Sequence, residues 1–249
     1  MTMIMNSEHM IKAPVKRQIL GIGITNASKE EVLEYIGEIL KKKTKKLFVS
    51  TPNPEMVVAA QGHPELIRLL NNADVALCDG VGLLLAGYFL GKGLKERITG
   101  IDMMDLLCQL SVDQALSIGL LGARPGVAER AAECLCEKYP SLKIMYTASE
   151  WDSKTFPNDG LDILFVAYGF PKQELWIEQY LPKLPVRLAM GVGGSFDMIS
   201  GEVRRAPFIL RMIGFEWLYR LIRQPWRWRR QLALLSFIKL VFMAKLNSR

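Results

Sequence analysis

Residues 161–194 read LDILFVAYGFPKQELWIEQYLPKLPVRLAMGVGG. Two apolar runs, LDILFVAYG and VRLAMGVGG, flank a segment of helical composition, PKQELWIEQYL. Neither run alternates apolar with polar residues, as a strand with one wet face would. Both are nearly continuous, the pattern of strands covered on both faces. Strand, helix and strand in that order make a βαβ unit, which joins parallel strands.

The same alternation extends toward the N-terminus. ALSIGLLGA (115–123) and LKIMYTA (142–148) read as strands on either side of the helical PGVAERAAECLCEKY. KKLFVST (45–51) and DVALCDG (74–80) read as strands joined by two short helices, each with proline in its first turn. VGLLLAGYFLG and MMDLLCQLS read as helices. SKEEVLEYIGEILKKK carries an N-cap serine, Ser28, acids in its first turn and lysines in its last. QILGIGIT (18–25) is a short β-rich run, counted as a first strand. The expected fold is α/β, a doubly wound, mostly parallel sheet of Rossmann-like type.

Charge divides the chain differently. Residues 203–249 hold eleven Lys/Arg against one acid, Glu216, while the remainder is slightly acidic. This predicts an α/β body over 1–202 and a basic, helical appendage over 203–249 that meets a polyanion. The appendage includes LYRLIRQPWRWRRQ (218–231), in which Arg220, Arg223, Arg227 and Arg230 step by 3, 4 and 3 and on a helix would share a face, with Pro225 expected to kink or split the segment. LALLSFIKLVFMAKL follows, apolar nearly all round but too short to span a bilayer comfortably. Basic residues, tryptophans and a short apolar helix suit a segment lying on an anionic leaflet. A nucleic-acid-binding protein would use the arginines and tryptophans but would need neither the acidic body nor the apolar run. The chain lacks the apolar core of a signal peptide, and its four cysteines form no disulfide framework. The expected location is therefore the cytoplasm, peripheral on the inner face of the membrane. A homo-oligomer is compatible with the sequence.

In a doubly wound fold ligands bind at the carboxyl ends of the strands. Polar or glycine-rich segments stand at strand end after strand end: TPNPE with Thr51 and Asn53, DGVG with Asp79, ARPG, FPKQE with Gln173, and GVGGSFD with Gly193, Gly194, Ser195 and Asp197. Asp79-Gly80 is either a simple turn or a partly desolvated carboxylate with a raised pKa, suited to general-base work. The glycines of GVGG either pack tightly or let backbone approach a ligand. Arg97 is either a solvated charge or a bidentate phosphate partner. No complete G-x-G-x-x-G occurs, which argues against a nicotinamide dehydrogenase. D-x-D, P-loop and G-x-S-x-G motifs and metal-ligand clusters are also lacking, so charge on a leaving diphosphate would fall to arginines and backbone donors.

Seven segments together resemble the TagA/WecG/CpsF glycosyltransferases: TPNPEMVVAA, CDGVGLLLA, ERITGIDMMD, LLGARPGVAERA, FVAYGFPKQELWI, GVGGSFDMISGEVRRAP and EWLYRLIRQPWRWRR, in order over about residues 18–245. The resemblance implies an inverting, metal-independent transfer without cofactor. The sugar passes from a UDP-sugar to N-acetylglucosamine on a polyprenyl diphosphate. The teichoic-acid branch, which uses UDP-N-acetylmannosamine, is the nearest in pattern; UDP-ManNAcA or a UDP-hexose is the alternative donor. By motif, Asp79 would be the general base for the acceptor 4-hydroxyl, and Arg97 would stabilise the departing UDP or the acceptor diphosphate. Thr51 and Asn53 would line the sugar pocket, Gln173 would hold the donor sugar and Asp197 would contact the nucleoside. Arg220, Arg227 and Arg230 match the arginines of the family's appendage. The segment ASEWDSKTFPNDGL (148–161) is shorter than the family pattern, and Tyr146 beside it is a candidate uracil neighbour.

Overall fold

The computed structural model describes residues 12–43, 45–212, 214–225 and 228–247, with nothing said of the side chains of 229–231. Six strands form one parallel sheet in the order β4-β3-β8-β7-β5-β6. They are β3 (Leu47–Ser50), β4 (Val75–Ala76), β5 (Ser117–Gly122), β6 (Lys143–Ala148), β7 (Leu161–Ala167) and β8 (Val186–Gly191). The 161–194 stretch supplies β7 and β8 as direct neighbours, with Leu164 opposite Ala189 and Val166 opposite Gly191. Their side chains are almost wholly buried, as continuous apolar runs require.

Helices cover both faces. On one lie α1 (Lys29–Lys42), α5 (Gly100–Asp113), α6 (Val127–Lys138) and α8 (Ser195–Ile199), which bury Ile36, Leu107, Ala131 and Phe196 against strand residues. α1 begins where the capping box predicts: Ser28 accepts from the Glu31 N–H, and the Glu31 carboxylate accepts from the Ser28 N–H. On the other face lies α7 (Lys172–Tyr180), burying Ile177 beside Phe48 and Val186. Trp151 and Phe156 of the short 149–160 segment join this second core, with Trp151 5.3 Å from Trp176 between ring centroids.

The β-rich run at 18–25 is not a strand of the parallel sheet. It forms an antiparallel hairpin of β1 (Lys16–Ile19) and β2 (Ile22–Thr25). The two-residue turn places Leu20 at φ 50° and Gly21 at φ 83°, the doubly left-handed geometry that matches strand twist in tight hairpins. Thr25 Oγ1 accepts from the Ala76 N–H, so the hairpin abuts the exposed edge of β4 through a side chain. β4 itself is short. Beyond it the chain still follows β3, because the Leu77 and Asp79 N–H groups donate to the Ser50 and Pro52 carbonyls.

A third core forms from the hairpin, α2 (Pro54–Ala60), α3 (Pro64–Asn71), α4 (Val81–Phe89) and the C-terminal helix α11 (Trp228–Leu246). Phe237 and Val241 of α11 are buried there among Met56, Val57, Leu83 and Ala86. Part of the basic 203–249 segment is thus core, while the opposite side of α11 stays apolar and exposed. Phe237→Ala should lower the free energy of unfolding by about 3–5 kcal/mol in urea titrations, as deletion of a buried ring does. Leu235→Ala, at a position 66% exposed, should stay within about 0.5 kcal/mol of the parent.

Candidate active site

Parallel pairing puts the ends of β3, β7 and β8 side by side, and a cavity opens there, with a volume of about 1230 Å³. A single small ligand usually occupies roughly 300–1,000 Å³, so this space suits two substrates. Thr51, Asn53, Asp79, Arg97, Gln173, Gly193, Gly194, Asp197 and Arg220 all line it. Arg227 lies outside the described residues, as does the side chain of Arg230. Tyr146 is not at the cavity. It is buried on β6 against Phe156, with ring centroids 5.1 Å apart, because the second core claims it.

Several lining residues are held by the turns that follow the strands. Thr51 Oγ1 donates to the Gly191 carbonyl at 3.2 Å, tying the end of β3 to that of β8. Asn53 caps α2 by accepting from the Met56 N–H. Ser195 Oγ donates back to the Val192 carbonyl, which fixes the start of α8. Gln173 Oε1 accepts from the Gly169 N–H at 3.1 Å and the Gly193 N–H at 3.0 Å. One buried amide therefore joins the turns after β7 and β8. Its Nε2 donates to Glu174 Oε1 at 2.9 Å, which sets the amide's orientation. A Cβ on Gly191 would lie 2.7 Å from that Nε2, so the close approach requires glycine. Burial pushes the Glu174 carboxyl up to about 7. The strand-end segment FPKQE includes Glu174, but nothing in its sequence context announces a buried acid.

Asp79 stands at the cavity floor, with Oδ2 accepting from the Gly100 N–H at 3.3 Å, in the first turn of α5. Burial pushes its carboxyl up to about 6. The Gly100 N–H opposes the rise, the Glu216 carboxylate adds to it, and the Arg97 and Arg220 guanidiniums oppose it. Arg97 Nη2 donates to the Arg211 carbonyl on α9 (Phe208–Met212) at 3.0 Å. Arg220, on α10 (Glu216–Arg223), brings Nη2 to 3.5 Å from where a Gly194 Cβ would be, and its buried Nε has no hydrogen-bond partner among the described residues. Arg124, from the ARPG turn after β5, is a third lining guanidinium, 3.6 Å from Asp197 and 3.2 Å from Glu202. It follows from the strand-end rule but was not singled out. Glu216, the lone acid of the basic segment, also lines the cavity.

The segment carrying Arg220 is stitched to the body. Arg205 pairs with Asp102 at 2.6 Å, and Gly214, at φ 82°, passes so near α4 that a Cβ would lie 2.9 Å from Val81. The result is a general-base candidate facing several cations, with a carboxylate that is ionised above about pH 6.

The model of the Glycosyl transferase WecG/TagA/CpsF family matches residues 17–249. The chain belongs to this family. It is a glycosyltransferase. It is 34% identical over 212 residues to the N-acetylglucosaminyldiphosphoundecaprenol N-acetyl-beta-D-mannosaminyltransferase of Staphylococcus aureus strain MRSA252, covering 82% of this chain and 84% of the relative. The protein of the same name from strain MW2 is 33% identical over 222 residues, covering 86% of each.

The Asp79 carboxyl titrates higher folded than unfolded, so its charged form opposes folding. That cost is absent below about pH 4, grows between about pH 4 and 6 and is complete above. Asp79→Asn should therefore raise the melting temperature at pH 8, with the gain shrinking toward zero at pH 4. Differential scanning calorimetry across that range checks the sign.

Proposed function

We propose that this chain transfers N-acetylmannosamine from UDP-N-acetylmannosamine to the 4-hydroxyl of N-acetylglucosamine on undecaprenyl diphosphate, with inversion and without a metal. The observation that carries this reading is Asp79, with its raised pKa, in one cavity with Arg97, Arg124 and Arg220. The relatives' shared name supplies the acceptor and the transferred sugar.

In the reaction the acceptor 4-hydroxyl oxygen attacks the anomeric carbon of the donor, and its proton passes to the Asp79 carboxylate. The bond from that carbon to the UDP oxygen breaks on the opposite face, so configuration inverts in one displacement. Negative charge then gathers on the UDP β-phosphate. Arg220 and Arg124 meet it from the side of Gly194 and Asp197, Arg97 faces the acceptor diphosphate, and their fixed positions favour the charged transition state. Among the described residues no group of three or more His, Cys, Asp or Glu is arranged to hold a metal ion. Guanidinium groups take that charge-neutralising role in this reading.

The acceptor's location fits the surface of the protein. Phe208, Ile209 and Met212 on α9, Ile222 on α10, and Leu232, Leu235 and Met243 on α11 are all at least half exposed. Arg204, Arg211, Arg223, Lys239 and Lys245 belong to the same part of the chain. No described helix is long and apolar enough to cross a membrane. The chain binds peripherally to an anionic leaflet, each basic residue near the surface contributing about 1 kcal/mol.

Purified protein given UDP-N-acetylmannosamine and a lipid-diphosphate-linked N-acetylglucosamine should form a β-linked disaccharide in the presence of EDTA, as read by NMR of the anomeric proton. Loss of turnover on chelation with recovery on added Mg²⁺ or Mn²⁺ would overturn the metal-free mechanism. Asp79→Asn should lower kcat by about 10²-fold or more while UDP binding by calorimetry persists. For the parent, kcat/KM should fall below about pH 6, where Asp79 gains its proton. Arg220→Ala should cost at least about tenfold, as expected for a charge-assisted contact of about 1.5–3 kcal/mol.

A further inference from the structure

The cavity does not end at its polar groups. α4 starts two residues after Asp79 and leads away from it, and α11 runs beside α4 in the same direction. Near the start of α4, a Cβ on Gly82 would lie 3.6 Å from Leu234 Cδ1. Near its end, the Phe89 and Phe242 ring centroids are 5.0 Å apart. Gly82 to Phe89 spans about 10 Å of helix axis, so the two helices flank the cavity for that distance beyond the catalytic carboxylate.

The walls of this extension are apolar. Leu85 and Phe89 line it from α4, and Leu234, Ile238 and Phe242 line it from α11. Each set steps by four residues and so forms a single helix face. Leu85, Phe89, Ile238 and Phe242 remain 61%, 41%, 45% and 55% exposed, although they line a concave space. Contiguous apolar surface left open in this way marks a binding site. A ligand that fits has an anionic head for Arg97 and, joined directly to it, a hydrocarbon tail for the two helices.

We propose that the apolar groove that α4 and α11 line together is a subsite for the phosphate-proximal isoprenoid units of the acceptor. The inference rests on the acceptor reading above and adds that the protein grips the lipid tail itself, not only the membrane around it. Within a bilayer, exchanging lipid neighbours for protein walls gains little, since both are apolar. There the groove orients the acceptor, with its diphosphate at Arg97 and its sugar hydroxyl over Asp79. In water the same contact removes hydrocarbon from solvent and adds affinity.

Kinetics without membrane or detergent test this, comparing N-acetylglucosamine diphosphates that carry an ethyl or a farnesyl group. The full-length protein should show a KM at least tenfold lower for the farnesyl acceptor. Leu85→Glu/Ile238→Glu places two carboxylates at the half-exposed lips of the groove and should collapse that farnesyl-over-ethyl ratio to about one. Leu235→Glu, on the exposed side of α11 and away from the cavity, should keep the ratio while weakening flotation with anionic vesicles. A parent enzyme indifferent to the tail overturns the proposal. So does a groove variant whose activity on both acceptors falls in parallel with the ratio intact, or collapse of the ratio in Leu235→Glu. Absence of transfer to either acceptor overturns the reaction reading and the groove assignment with it; transfer without tail dependence overturns the groove alone.

Discussion

Because β8 is hydrogen-bonded to β3 on one side and β7 on the other, all in parallel, three chain reversals must occur at the same end of the sheet. Their backbone groups cannot pair with one another in a ladder, so side chains take over. The Gln173 amide spans the turns after β7 and β8, and the Thr51 hydroxyl ties β3 to β8. Asp79 reaches the same place because the chain beyond β4 keeps following β3 through two backbone hydrogen bonds. Without the parallel order, Asp79, Gln173 and the GVGG turn would not share a cavity.

The electrostatics of that cavity balance two opposing demands. Burial raises a carboxylate's pKa toward that of a general base working near neutral pH, and it makes the charge costly. Arg97 and Arg220 ease that cost but would lower the pKa if they acted alone. Glu216 offsets them, entering from the basic C-terminal segment. The guanidiniums thus sit beside Asp79 without holding it at the ordinary carboxylate value.

The strand and helix order of the sheet was legible because continuous apolar runs and capping residues are local signals. The strand-end rule was enough to gather Thr51, Asn53, Asp79, Gln173 and Asp197, since topology alone places them together. The residue types of 18–25 suit a hairpin as well as a sheet strand, and only the left-handed turn at Leu20-Gly21 separates the two. The role of α11 was hidden for a different reason. A helix apolar nearly all round has no preferred face, so periodicity cannot say that Phe237 and Val241 enter the protein while Leu235 does not. Tyr146 was misplaced because a strand residue's direction depends on register, and its register turns it toward Phe156.

The position of α11 also bears on the timing of assembly. It is the last described helix, yet it closes the third core and forms one wall of the cavity. A ribosome releases the chain from its N-terminus onward, so the sheet and most of the polar strand ends can form while α11 is still inside the exit tunnel. Until its final turns emerge, α2 and α4 present bare apolar faces. The emerging protein is then both unfinished and sticky beside Asp79, and completion of its core coincides with completion of its cavity.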